Sequence, residues 1–401
     1  MSCKFKIGIT LCAVSILVAR LIMPAMAAPA VSLENNLAFS LDLYGKVRDG
    51  EGNIVFSPYS IQEALSLAAV GAKGETAVQM QSTLRTQTAT GEVPSRELAE
   101  KIEAIRAKGE VIINVANALW LSKEYQFLDT FLKIAKDSFH SELNYADFIN
   151  AAESARLEIN KWVAEKTHDK IKDLIGAGAL TPATRLVIVN AIYLKALWET
   201  EFEKNSTRDK DFWVTATTSA VVPTMNRTAH FEYAESDAMQ LLSLPYKGRD
   251  ISMLIFLPKN RAGLPAFEKR VTPKLVTELV GNLTSKEVMV ALPKFKARLN
   301  LSLVKILGAL GMVDAFNPDK ADFSGMDGTR KLYVSEVVHQ AFIETDEKGT
   351  EAAAATALIM RAGSVRLDKP IEFIADHPFI FAIRENSSGN VLFIGRVVDP
   401  R

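Results

Sequence analysis

The sequence predicts an α+β protein built on large, mainly antiparallel sheets. Five long apolar runs carry strand character, amphipathic helical patterns lie among them, and the two kinds follow one another without a βαβ rhythm or a fixed repeat. With 401 residues, 48% of them hydrophobic, the chain is long enough to bury a large core in one big domain or two.

In chain order, residues 1–27 read as an export leader. Lys4 and Lys6 precede an apolar run from Ile7 to Ala19, and Ala25-Met26-Ala27 offers a small-x-small cleavage site before Ala28. Arg20 interrupts the apolar stretch and leaves it short for a membrane anchor. Both cysteines, Cys3 and Cys12, fall inside the leader, so the mature chain 28–401 would hold no thiol, disulfide or thiolate metal site and would rest on packing alone. The leader has a bacterial look, and the expected location is the periplasm or the medium, with no membrane attachment after cleavage.

Leu37, Leu41 and Tyr44 mark an early amphipathic helix. Ser57-Pro58 reads as a helix start, Ser57 capping and Pro58 in the first turn, with Ile61, Leu65 and Ala68 on one side. The polar stretch from Gln79 to Lys108 reads as helix with exposed connections. Strands are predicted over Val111 to Leu121, Leu186 to Leu194, Ile251 to Leu257, Val288 to Leu292 and Val391 to Val398, where β-branched residues and the bounding Pro258 and Pro293 favour them. Ile159, Trp162, Val163, Lys166, Ile171 and Leu174 describe an amphipathic helix able to lie across a sheet.

Charge and motif content exclude more than they identify. The 47 basic and 47 acidic side chains cancel, so no surplus of cations marks a nucleic-acid partner, and Lys294-Phe295-Lys296-Ala297-Arg298 reads as the solvated edge of a strand. There is no Gly-x-Ser-x-Gly, His-Glu-x-x-His or phosphate-binding glycine loop, and the five histidines have no metal-ligand spacing. An exported serine hydrolase whose triad assembles from distant residues stays a distant alternative.

Residues 347–356, with Gly349 ahead of four alanines, can adopt more than one conformation. At a strand's period of two, Thr350, Ala352, Ala354, Thr356, Leu358 and Met360 make one small, apolar face, while Glu351 and Arg361 stay on the other. A short helix or a solvated loop is the competing reading from composition.

The chain resembles the serpins from about Glu34 to Arg401. The resemblance is carried in order by Asn53-Ile54-Val55-Phe56-Ser57-Pro58-Tyr59-Ser60, by the stretch from Val189 to Trp198, by Leu292-Pro293-Lys294-Phe295, by Asp322-Phe323-Ser324-Gly325-Met326, by the stretch from Val334 to Ala341, by Ala375-Asp376-His377-Pro378-Phe379 and by Phe393-Ile394-Gly395-Arg396-Val397. Leu194, Ala196 and Gln340 depart from the family's usual Phe, Gly and Lys.

The resemblance implies one serpin domain over 28–401, with three β-sheets, about eight to nine helices and an exposed reactive loop at about 347–370. It implies an inhibitor rather than an enzyme, without cofactor or metal, acting as a monomer. A target protease attacks the loop, and the cleaved loop inserts as a strand into the central sheet, the behaviour for which serpins serve as the general example. Glu347, Gly349, Thr350, Ala352, Ala354 and Thr356 correspond to the hinge. Ser57, Ser60, Asn190 and His339 correspond to the shutter beneath the sheet, and Trp198 to the breach where insertion begins. Each of these also has a plain structural reading, as a helix cap, a first-turn residue or a satisfied core group. Counting seventeen residues from Glu347 places the scissile bond at Gly363-Ser364, which favours an elastase-, subtilisin- or papain-like target. Arg361-Ala362, a trypsin-like site with a shorter insertion arm, is the rival. A non-inhibitory carrier or chaperone is the second alternative, one that would more typically carry a bulky, charged or proline residue in the hinge.

Overall fold

The computed structural model describes residues 33–86, 96–139, 141–350 and 369–401. The expected leader, residues 1–27, and most of the reactive loop lie outside these residues. The first half of the chain runs α1 (Leu33–Val47), β1 (Ile54–Phe56), α2 (Pro58–Gly71), α3 (Gly74–Thr83), α4 (Arg96–Ala107), β2 (Val111–Ser122), α5 (Asp129–Ile134), β3 (Glu142–Ala146), α6 (Phe148–Lys166) and β4 (Leu186–Leu197). Next come β5 (Arg208–Trp213), β6 (Ser219–Glu235), β7 (Met239–Pro245), β8 (Ile251–Pro258), α7 (Leu264–Arg270), α8 (Pro273–Gly281), β9 (Thr284–Pro293), β10 (Phe295–Ser302), α9 (Val304–Ala309) and α10 (Ser324–Asp327). The chain closes with β11 (Val334–Asp346), β12 (Gly349–Thr350), β13 (Ile371–Ile374), β14 (Phe379–Glu385) and β15 (Val391–Val397).

This is the expected α+β architecture. Among the described residues the strands join into two hydrogen-bonded sheets rather than three. The larger runs β1-β15-β14-β8-β7-β6-β9-β13 with β5 paired to β6; the smaller runs β10-β11-β12-β4-β2-β3. The long strand β6 accounts for the merger: it pairs β5 at one end, β7 at the other and β9 along most of its length, so one ladder continues through what would otherwise be two sheets. Among the described residues there are ten α-helices, several of one or two turns.

The five predicted strands are all found, as β2, β4, β8, β9 and β15. Ser57 caps α2 as read: its Oγ accepts from the Ser60 amide at 3.1 Å, with Pro58 in the first turn. The helix expected through Leu174 ends at Lys166. Ile171 and Leu174 are nonetheless fully buried, in an irregular segment that packs into the same apolar cluster as Ile159 and Val163. Their spacing reported burial, and the Thr167 side chain, bonded to the Val163 carbonyl and receiving the Ile171 amide, ends the helix locally.

The two sheets face one another across a core that includes Ile192, Leu194, Ala196, Ala341, Ile343 and Tyr246. On the opposite face of the six-stranded sheet, α6 covers Val187, Val189 and Ala191 of β4 and Val338 of β11. The seam between β4 and β11 is therefore enclosed on both sides.

Candidate functional site

Most of the smaller sheet is antiparallel, but β2 and β3 pair in parallel at its edge and β4 and β11 pair in parallel within it, from Val334 opposite Leu186 to Phe342 opposite Tyr193. Beyond that point they part, and β12 lies between them. Gly349 and Thr350 pair antiparallel with Asp346 and Thr345 of β11 and with Leu197 and Ala196 of β4. The head of the expected hinge is thus already a two-residue rung of the sheet.

The residues of that rung are chosen by space and hydrogen bonding. Gly349 has φ +153°, and a Cβ there would stand 2.1 Å from the Ala196 carbonyl oxygen. Thr350 is fully buried, its Oγ1 2.7 Å from the Tyr246 hydroxyl, and burial raises the Tyr246 phenol well above its usual range. Tyr246 stacks on Trp198 with ring centroids 4.6 Å apart and planes 12° apart. Trp198 in turn donates its Nε1–H to the Asp346 carbonyl at 3.0 Å and its amide to the Lys348 carbonyl at 2.8 Å. The expected breach residue therefore holds the turn from which β12 enters.

Glu347 anchors the outer side of this turn. Its carboxylate accepts from Lys294 Nζ at 2.9 Å and from Thr207 Oγ1 at 2.9 Å, and its carbonyl accepts from the Phe202 amide at 2.7 Å. Burial opposes the charge, but the bonds from Lys294, the backbone and Thr207 outweigh it and hold the carboxyl below its ordinary value. Lys294 is thus an ion-pair partner of the hinge rather than a solvated strand edge, while its neighbours Lys296 and Arg298 are exposed as read.

The four expected shutter residues come together where the β4–β11 seam is closed. His339 and Asn190 are register partners, and both are buried. His339 Nε2 accepts the Ser57 amide at 3.1 Å, which leaves the ring proton on Nδ1, facing Asn190 Oδ1. Asn190 Nδ2 donates to the Ser60 carbonyl at 3.0 Å, to the Ser60 hydroxyl and to Asn117 Oδ1. Ser57 Oγ donates to the Leu392 carbonyl at 2.6 Å. Complete burial lowers the His339 pKa to about 3, so the imidazole is neutral. Ser57 is at once the helix cap and a member of this cluster.

Of the remaining predicted site residues, Ala352, Ala354, Thr356, Arg361, Ala362, Gly363 and Ser364 lie outside the described residues. Sequence reasoning missed Tyr246, Thr207, Phe202 and Asn117. A lone tyrosine after Pro245 and an asparagine inside an apolar run carry no local signal of what they meet across the sheet. Among the described residues no group of three or more His, Cys, Asp or Glu is placed to hold a metal ion.

Comparison with known proteins places this geometry. The family model described as Serpin (serine protease inhibitor) matches residues 34–400. Leukocyte elastase inhibitor A of Rattus norvegicus is 40% identical over 375 residues, covering 91% of this chain and 98% of the relative. An uncharacterized serpin-like protein of Methanosarcina acetivorans is 38% identical, covering 91% of this chain and 85% of that one. Among solved structures, uncleaved ovalbumin superposes with a TM-score of 0.83 at 28% identity, covering 92% of this chain and all of the other. The thermophilic serpin tengpin in its native state superposes at 0.80 with 30% identity, covering 92% and 94%. A match so nearly complete in sequence, joined to the same chain path in space, means that this chain belongs to the serpin family.

Proposed function

We propose that the protein is a single-use inhibitor that traps a serine or papain-like cysteine protease by inserting its cleaved loop into the β4–β11 seam, and that it is not itself a catalyst. The observation that carries this reading is the seated rung of Gly349 and Thr350, antiparallel to both neighbours. Continuing that register by antiparallel pairing would bring Ala352 opposite Ile343 and Leu194, Ala354 opposite Ala341 and Ile192, and Thr356 opposite His339 and Asn190 together. Partners directly opposite share a face. The small apolar face of the loop would then turn toward the core already entered by Thr350, and its alanines on the other face would pass beneath α6.

The chemistry is that of an interrupted hydrolysis. The protease nucleophile adds to the carbonyl carbon of Gly363, the Gly363–Ser364 amide breaks, and the Ser364 amine takes a proton and leaves. The acyl-enzyme bond is left on the segment that inserts. The relatives named as leukocyte elastase inhibitors support an elastase-like target, as does glycine before the scissile bond. Mass spectrometry of the released carboxyl-terminal peptide, beginning at Ser364 or at Ala362, decides between the two candidate bonds. We assign the protein to the periplasm or medium on its leader, and amino-terminal sequencing of the exported chain should begin at Ala28.

Thr350→Arg tests the mechanism. An uncompensated ion at this fully buried position costs several kcal/mol, so the variant is expected to be cleaved as a substrate without forming an SDS-stable complex. Complex formation at the unaltered protein's stoichiometry overturns the insertion reading.

A further inference from the structure

Lys348 closes the turn that leads into β12, and it is only 5% exposed. Its Nζ is buried without a hydrogen-bond partner among the described residues. The acceptors nearest to it along the chain are already committed. The Glu347 carboxylate takes bonds from Lys294 and Thr207, Asp346 Oδ1 accepts the amide of Lys348 itself at 2.9 Å, and the Asp346 carbonyl accepts from Trp198 Nε1. Lysine is rarely buried to this depth without a partner. A buried amine with no acceptor costs free energy whether or not it carries the extra proton, because the water that bound it has not been replaced.

Against that cost stand the bonds that grip the same turn. The amides of Trp198 and Phe202 bind the carbonyls of Lys348 and Glu347, the Thr350 hydroxyl meets Tyr246, and the rung pairs with β11 and β4 over two residues only. Opening of the turn returns the amine to water, and the turn runs directly into Gly349. We propose that Lys348 sets how firmly the rung is seated: its unpartnered amine opposes the bonds that hold Gly349 and Thr350, so the rung releases more readily than those bonds alone would allow. Lys348 is thus a positioning residue for the loop. The inference deepens the insertion reading, since a released rung frees two more residues for the approach of a protease, but its test uses no protease.

Hydrogen exchange on the intact protein, labelled at glycine, threonine and alanine and followed by NMR, reads the seating of the rung directly. Lys348→Met keeps the apolar stem and removes the amine. In this variant the amides of Gly349 and Thr350 are expected to exchange about tenfold more slowly than in the unaltered protein, each measured relative to Ala191 of β4 so that a gain in global stability cancels. Lys348→Leu, a second replacement without an amine, should slow them in the same direction. Circular dichroism establishes that each variant is folded, and either one alone suffices for the comparison. A folded variant whose rung exchanges at the unaltered ratio or faster overturns the proposal and leaves Lys348 as a filler of the core. Slowed exchange in a protein that forms no protease complex upholds the role of Lys348 and overturns the trapping reading alone.

Discussion

At Gly349 a side chain has no room, and that one clearance explains why the hinge turns where it does. Gly349→Ala would press a methyl group onto the Ala196 carbonyl and is expected to lower stability by about 1–3 kcal/mol in urea denaturation. His339 makes a second residue-scale prediction. Its folded-state pKa, about 3, lies below the ordinary histidine value, so between those limits the unfolded chain binds the extra proton. The stability contributed by the neutral ring is present above about pH 6.5 and is lost as pH falls toward 3, at up to about 1.4 kcal/mol per pH unit. Denaturation across that range should show the slope, and His339→Gln should flatten it. Gly349, Thr350 and His339 were legible because their neighbours in sequence formed motifs. Tyr246 and Lys294 were not, since their roles are set by partners 104 and 53 residues away.

Among the elements, α6 and the segment after it control the seam. Past Lys166 the chain reaches over β11 as far as β10, where Asn300 Nδ2 donates to the Leu174 carbonyl at 2.7 Å and Arg298 Nη2 to the Lys170 carbonyl at 3.2 Å. It then returns to begin β4, and Asn160 holds Ile175 through both its amide and its carbonyl. A strand entering the seam must pass under this strap. Asn300→Ala is expected to speed annealing of a synthetic peptide of residues 350–361 into the intact protein, followed by native gel shift; an unchanged rate removes the strap from the account. The apolar strands were readable because burial on both faces gives continuous hydrophobic runs. Strands β5 and β6 were not, since β5 opens on four consecutive exposed charged residues and β6 turns polar residues to solvent along much of its length, both resembling loop composition. The merger of sheets through β6 depends on pairings between distant segments, which local periodicity does not encode.

For the whole molecule, the difference between intact and cut chains is topological. Insertion would replace one parallel ladder by two antiparallel ones, successive residues of the new strand bonding alternately to β11 and to β4. At roughly 0.5–1.5 kcal/mol per hydrogen bond the added ladder is nearly offset by about 1–2 kcal/mol of ordering per residue, so relief of strain in the intact sheet must supply the rest. Cleavage in the loop is therefore expected to raise the melting temperature, read by circular dichroism before and after proteolysis. An unchanged transition would mean that the cut loop stays outside. Both faces of the seam are covered, by the core on one side and α6 on the other, so a strand once seated has no solvent-facing route of escape. Under the proposed mechanism each copy serves for a single encounter, and the defence such a protein provides is limited by how many copies are in supply, not by how tightly any one of them binds.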